Sequence, residues 1–165
     1  MRGKLMIGFL AILLNCVACG GSDGDDGGGG SGGASSLPDA CTLVTAEDAT
    51  ALFGEPALKE TGSPTPDPNL SQCVWGYDYP DNSSHLLQML VYANELAYSE
   101  PSGSTPFTIG EKGYLTVGSL GVDVGWVQKG MTLMLAHSTV GPMAGDATAK
   151  TEEVKTLAKK VEGKL

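Results

Sequence analysis

Residues 73–93, CVWGYDYPDNSSHLLQMLVYA, decide the fold. Cys73, Trp75, Tyr77 and Tyr79 alternate with Val74, Gly76 and Asp78, the period-two pattern of a strand with two different faces. Pro80-Asp81-Asn82-Ser83-Ser84 is a run of turn formers. His85 to Ala93 returns as a mostly apolar strand, so the stretch predicts a hairpin. Further along, Gly113 to Val117 reads as a short strand. Val122 to Val127 and Met131 to His137 flank Gln128-Lys129-Gly130, where Lys129-Gly130 suits a tight hairpin turn.

Helix signals sit outside this run of strands. Before it, Thr45 is a good N-cap, Asp48 lies three residues later in a capping-box position, and Ala49, Leu52 and Phe53 share one face. Gly54 is a natural stop, with Pro56 just beyond. After it, Val154, Leu157, Ala158, Val161 and Leu165 recur at helical spacing, with Glu152, Glu153, Lys155, Lys159, Lys160 and Glu162 outward. The expectation is an α+β domain: a twisted antiparallel sheet of about five strands, with a short N-terminal helix and an amphipathic C-terminal helix on one face. The two halves read as a crude mirrored pair, although no sequence identity links them. Thr61 to Asn69, with Pro64, Pro66 and Pro68, is expected to be an irregular loop.

The whole chain has 165 residues with 10 Lys+Arg against 19 Asp+Glu. Its first residues, MRGKLMIGFLAILLNCVAC, place Arg2 and Lys4 before an apolar run from Leu5 to Leu14 that is too short to span a bilayer and suits a signal peptide. Val17-Ala18-Cys19-Gly20 resembles a bacterial lipobox, which makes Cys19 the expected lipidated residue, palmitoylated and anchored in the membrane. Cys16 competes, but Asn15 before it is a poor residue for that cleavage. An ordinary secretory signal with a free Cys19 is the alternative. More than one acyl chain makes anchoring stable, and an acidic chain needs that help at an acidic membrane surface. No Asp follows Cys19 directly, so the resemblance to Gram-negative lipoproteins points to the outer membrane if the source is Gram-negative. The expected organisation is therefore a signal peptide (1–18), a lipidated Cys with a Gly/Asp/Ser-rich flexible tether (19–36), and an extracytoplasmic domain (37–165). Asp23, Asp25 and Asp26 open like a calcium loop, but its twelfth position is Ala34 rather than Glu.

Cys41 and Cys73 then remain as an even pair in an exported domain, and a disulfide is expected between them. Such a bond closes a loop of roughly 30 residues and is worth about 3.5 kcal/mol by loop entropy. There is no Cys-x-x-Cys in the domain to suggest a redox or metal pair.

Asp39-Ala40-Cys41-Thr42-Leu43-Val44-Thr45-Ala46-Glu47-Asp48 with Leu52-Phe53-Gly54, followed by Cys73-Val74-Trp75, resembles small bacterial lipoproteins of unknown function, best known from actinobacteria. Gly110-Glu111-Lys112-Gly113-Tyr114 and Leu157-Ala158-Lys159 extend the likeness, which covers about residues 39–165. The Gly/Asp-rich tether is more similar to that of myxobacterial surface lipoproteins. Extracytoplasmic sensor domains of bacterial kinases look similar in outline. The resemblance implies no catalytic residues.

The acidic balance argues against a nucleic-acid partner. No Gly-x-Ser-x-Gly elbow accompanies His85 or His137, which fall at strand ends or within strands and are expected to be surface or edge residues. No metal site, cofactor or catalytic residue is expected. Trp75 and Trp126 are expected in the core, while Tyr77, Tyr79 and Tyr92 are the candidate binding surface. The leading reading is a membrane-anchored lipoprotein at the cell envelope with a non-enzymatic binding or interaction domain, its partner an envelope protein or a small ligand. The alternatives are a periplasmic or surface hydrolase whose site no motif reveals, and a purely structural envelope lipoprotein.

Overall fold

The elements run in the order α1 (Ala40–Leu43), α2 (Ala46–Phe53), β1 (Leu58–Lys59), β2 (Leu70–Asp78), β3 (Ser84–Tyr92), β4 (Thr105–Pro106), β5 (Lys112–Val117), β6 (Gly121–Gln128), β7 (Met131–Val140) and α3 (Thr151–Glu162). A 3₁₀ turn at Glu95–Ala97 precedes β4 and another at Asp146–Lys150 leads into α3. This computed structural model describes residues 37–60, 67–143 and 146–165, all within one compact unit. The expected signal peptide, Cys19, the expected tether and residues 61–66 of the Pro-rich stretch lie outside the described residues. Among those described, no helix is long and apolar enough to cross a membrane.

The class is α+β, with one antiparallel sheet of order β1-β2-β3-β7-β6-β5-β4. Two details correct the sequence reading. The sheet has seven described strands rather than about five, because β1 and β4 add two-residue edges. Two residues are too few to show alternation, so such strands arise only where a neighbour offers free backbone groups. The Glu60 N–H, for example, donates to the Val74 carbonyl at 3.0 Å. The N-terminal helix is also two helices. Asp39 caps α1 by accepting from the Cys41 N–H at 2.8 Å, and the chain then turns extended at Val44 before α2 begins.

Local signals explain the rest. Thr45 and Asp48 form the reciprocal capping box of α2, and Gly54 ends it at φ +78°. Lys129 and Gly130 both have positive φ (52° and 74°), the backbone of a type I′ turn between β6 and β7. β3 and β7 pair at the centre of the sheet, so a hairpin from the first half and a meander from the second meet along their longest strands.

Strand alternation sends one set of side chains into a single core. Cys73, Met89, Leu135 and Val124 lie in one cross-strand row, and Val91, Leu133 and Trp126 in the next. Leu43, Ala49, Leu52 and Phe53 from the N-terminal helices join them, as do Val154, Leu157, Ala158 and Val161 from α3. A fully buried leucine or valine contributes roughly 1.5–3 kcal/mol, so this layer dominates stability. Trp126 is fully buried, and Trp75 packs against the core, its Nε1–H donating to the Val44 carbonyl at 3.0 Å. That bond holds the bend between α1 and α2 against β2. Cys41 and Cys73 stand at disulfide distance beside it, with Cα atoms 5.0 Å apart.

Candidate binding surface

The same alternation that fills the core points the other residues of each strand to the opposite side. Val74, Gln88, Ala136, Asp123 and Thr116 form one row across β2, β3, β7, β6 and β5. Gln72, Leu90, Met134, Gly125 and Tyr114 form the next. The helices pack on the other side, so this face is covered only in part. At its β5–β6 end the chain after Tyr92 folds back: the Thr132 hydroxyl donates to the Asn94 carbonyl at 2.8 Å, and the Tyr98 ring lies 5.7 Å from that of Tyr114. Tyr114 lies across Gly125, where a Cβ would sit 2.4 Å from its ring, so only glycine admits the tyrosine there. Beyond that end, Val74, Leu90, Tyr92, Met134 and Ala136 are half-buried and Leu86 is exposed. The Glu60 carboxylate reaches onto this side over Gly76, in the space a side chain there would take.

The charges on this face are uneven. Lys112 is held 3.8 Å from the Glu95 carboxylate and 4.8 Å above the Tyr98 ring. Burial, reinforced by the Glu100 carboxylate that accepts from its hydroxyl at 2.8 Å, raises the Tyr98 phenol to about 12. Burial, then the charges of Asp123 and Glu100, pushes the Tyr114 phenol up as well. Asp123 itself sits half-buried in the row described above, and burial alone raises its carboxyl above the ordinary range. None of the described residues gives it a hydrogen bond or an ion pair. Thr116, directly across the strand pair, has a buried hydroxyl with no described partner.

The three tyrosines singled out in the sequence do not share a face. Tyr77 is the cross-strand partner of His85 and packs against the core from the helix-covered side. Tyr79 meets Tyr77 edge-on at 4.7 Å and His85 at 5.5 Å, on that same side. Tyr92 points to the open side, in the row of Leu70 and Thr132. Cys41 and Cys73 are brought together, while Cys19 lies outside the described residues.

The histidines are placed otherwise than the sequence suggests. Both are buried, His85 at 2% and His137 at 0% exposure. His85 Nδ1 and His137 Nε2 are 3.0 Å apart, with ring centroids at 5.3 Å and planes tilted by 19°. That combination sets the rings edge to edge, so one ring's N–H points along the other's lone pair. Phe53 closes over both rings, at 5.3 and 6.1 Å. Burial, then the charges of His85 and Lys150, pulls His137 down to about 4, so it is neutral at pH 7. Each histidine taken alone reads as an edge residue; their pairing, between positions 52 apart in the chain, depends on β3 and β7 meeting.

A concave region lies between α2 and α3, a groove of about 340 Å³ floored by Ala51, Leu52 and Leu157. Its charges are matched within the chain: Asp48 with Lys160 at 2.6 Å, Glu152 with Lys155 at 2.8 Å and Glu153 with Lys150 at 3.7 Å. Burial works to raise the Asp48 carboxyl, but the hydrogen bonds from Lys160 and the Thr45 N–H, with the charges of Lys160 and Lys164, leave it below its usual value. Among the described residues no group of three or more His, Cys, Asp or Glu is placed to hold a metal. Compared with known proteins, the chain matches no family model, no curated protein and no solved structure.

Asp123 was missed by sequence reading, though a signal was there. In Val122-Asp123-Val124 a charge interrupts an apolar strand at the position facing away from the core. Its lack of a partner among the described residues is a tertiary fact.

Proposed function

We propose that this protein is a lipid-anchored component of the cell envelope whose folded domain is a non-enzymatic interaction module, with the helix-free side of the sheet as its docking surface. The observation behind this reading is the run of half-buried Val74, Leu90, Tyr92 and Met134, with exposed Leu86, on the side the helices leave uncovered. Contiguous apolar surface of this kind marks recognition sites in soluble domains. Tyr92 belongs to the surface; Tyr77 and Tyr79 do not. The seclusion of His85 and His137 beneath Phe53 favours a structural role for them over hydrolysis, since catalysis needs a base within reach of substrate. Anchoring through Cys19 rests on the lipobox-like Val17-Ala18-Cys19 and on the short apolar run before it.

Site-specific photo-crosslinking in the native envelope tests the docking surface. A photoreactive residue at Leu90 or Met134 should give one discrete adduct, and the same probe at Thr50 or Lys155 on the helix side should not. Adducts only from the helix side would overturn the reading. Cys19→Ser should move the chain from the membrane to the soluble fraction; retention in the membrane would remove the lipid anchor from the proposal.

A further inference from the structure

We propose that the open face selects a positively charged partner: an amphipathic protein segment that sets a lysine or arginine against Asp123 while its apolar side chains cover Leu90, Met134 and Ala136. This rests on the reading of that face as a docking surface. Asp123 is half-buried within a largely apolar sheet face, with no hydrogen bond or ion pair from the described residues, and Thr116 opposite it keeps a buried hydroxyl without a described partner. A carboxylate removed from water without a counter-charge costs stability, so folding alone does not explain an aspartate here.

The cation cannot come from the strands themselves. Lys112 is their one lysine or arginine on this side, and Glu95 with the Tyr98 ring already holds it. Other carboxylates lie around the apolar centre: Glu60 over Gly76, and Glu100 on the Tyr98 hydroxyl. An apolar centre bordered by Asp123, Glu60 and Glu100 complements a basic amphipathic segment. A neutral or acidic partner covering the same area would bury Asp123 unpaired, which penalises the wrong partner more than it rewards the right one. The excess of 19 acidic over 10 basic residues in the chain would steer such a segment toward it at long range.

The test uses the full-length chain and two synthetic eight-residue peptides, one alternating leucine with lysine and one alternating leucine with glutamate. Affinity is read by fluorescence anisotropy, and location by the methyl NMR signals of Leu90 and Met134. The lysine peptide should bind and shift those methyl signals, and the glutamate peptide should not. Asp123→Asn should weaken the lysine peptide about tenfold, while Glu152→Gln, which removes an equal charge from the helix groove, should leave binding unchanged. The Asn variant should melt no lower than the parent, which separates lost recognition from lost folding. Equal binding to the Asn variant with the same methyl shifts would overturn the charge selection and leave the docking surface standing. No binding by the lysine peptide, or shifts confined to the helix side, would overturn both.

Discussion

Leu135 and Met134 are neighbours on β7 with opposite surroundings. Leu135 is fully buried in a row with Met89 and Val124, beneath a layer completed by all three helices. Met134 points the other way, half-exposed beside Leu90. The polar groups differ in charge. On the covered side they are neutral: His85 Nδ1 and His137 Nε2 pair at 3.0 Å, while His137 Nδ1 and the Thr139 hydroxyl are buried with no described hydrogen-bond partner; on the open side the group with no partner among the described residues is a carboxylate, Asp123. One side is thus closed by the chain's own side chains, and the other still has an unmet charge and uncovered apolar area. On the proposed reading, the contrast separates residues that serve folding from residues that serve recognition.

The sharpest way to break that comparison is to truncate both neighbours. Leu135→Ala should destabilise the domain by about 2–5 kcal/mol in chemical denaturation, since it opens a cavity in a sealed layer. Met134→Ala should cost less than about 1 kcal/mol; equal losses would show that the open side is core after all. Replacing Cys41 and Cys73 together with serine should cost about 3.5 kcal/mol, and a variant as stable as the parent would remove the bond from the stability account.

The covered side also makes a pH prediction. Well above pH 6.5, the ordinary histidine value, His137 is neutral in both folded and unfolded chains and adds no pH dependence. As the pH falls from there toward about 4, the unfolded chain takes up a proton that the folded one refuses, and stability is lost; below about 4 the loss levels off. The total is about 3 kcal/mol on this account. A joint His85→Phe, His137→Phe variant should flatten the denaturation midpoints between pH 7 and pH 4.5. Asp48, held below its usual carboxylate value, contributes its own loss only at lower pH, whereas Asp123, raised by burial, works against the histidine loss as the pH falls, and the histidine variant leaves that contribution in place. The smallest change is at the cap of α2, where Thr45→Ala should cost about 1 kcal/mol without altering peptide binding on the far side of the sheet.

Features carried by near neighbours in the chain were legible from the residues alone: the hairpin over 73–93, the capping box of Thr45 and Asp48, the Lys129-Gly130 turn, and the buried stripe of α3. Each depends on local geometry, a period of two or 3.6 residues or a backbone torsion that few residues accept. What the tertiary structure decided involves partners distant in the chain. The edges β1 and β4 exist because longer strands offer them hydrogen bonds. The separation of Tyr92 from Tyr77 and Tyr79 follows from which side α1, α2 and α3 cover. The seclusion of the histidines needs β3 beside β7, and the isolation of Asp123 needs five strands in register with no cation brought to its side. Alternation along a strand reveals that it has two faces, but which face is sealed depends on where elements far away in sequence come to rest.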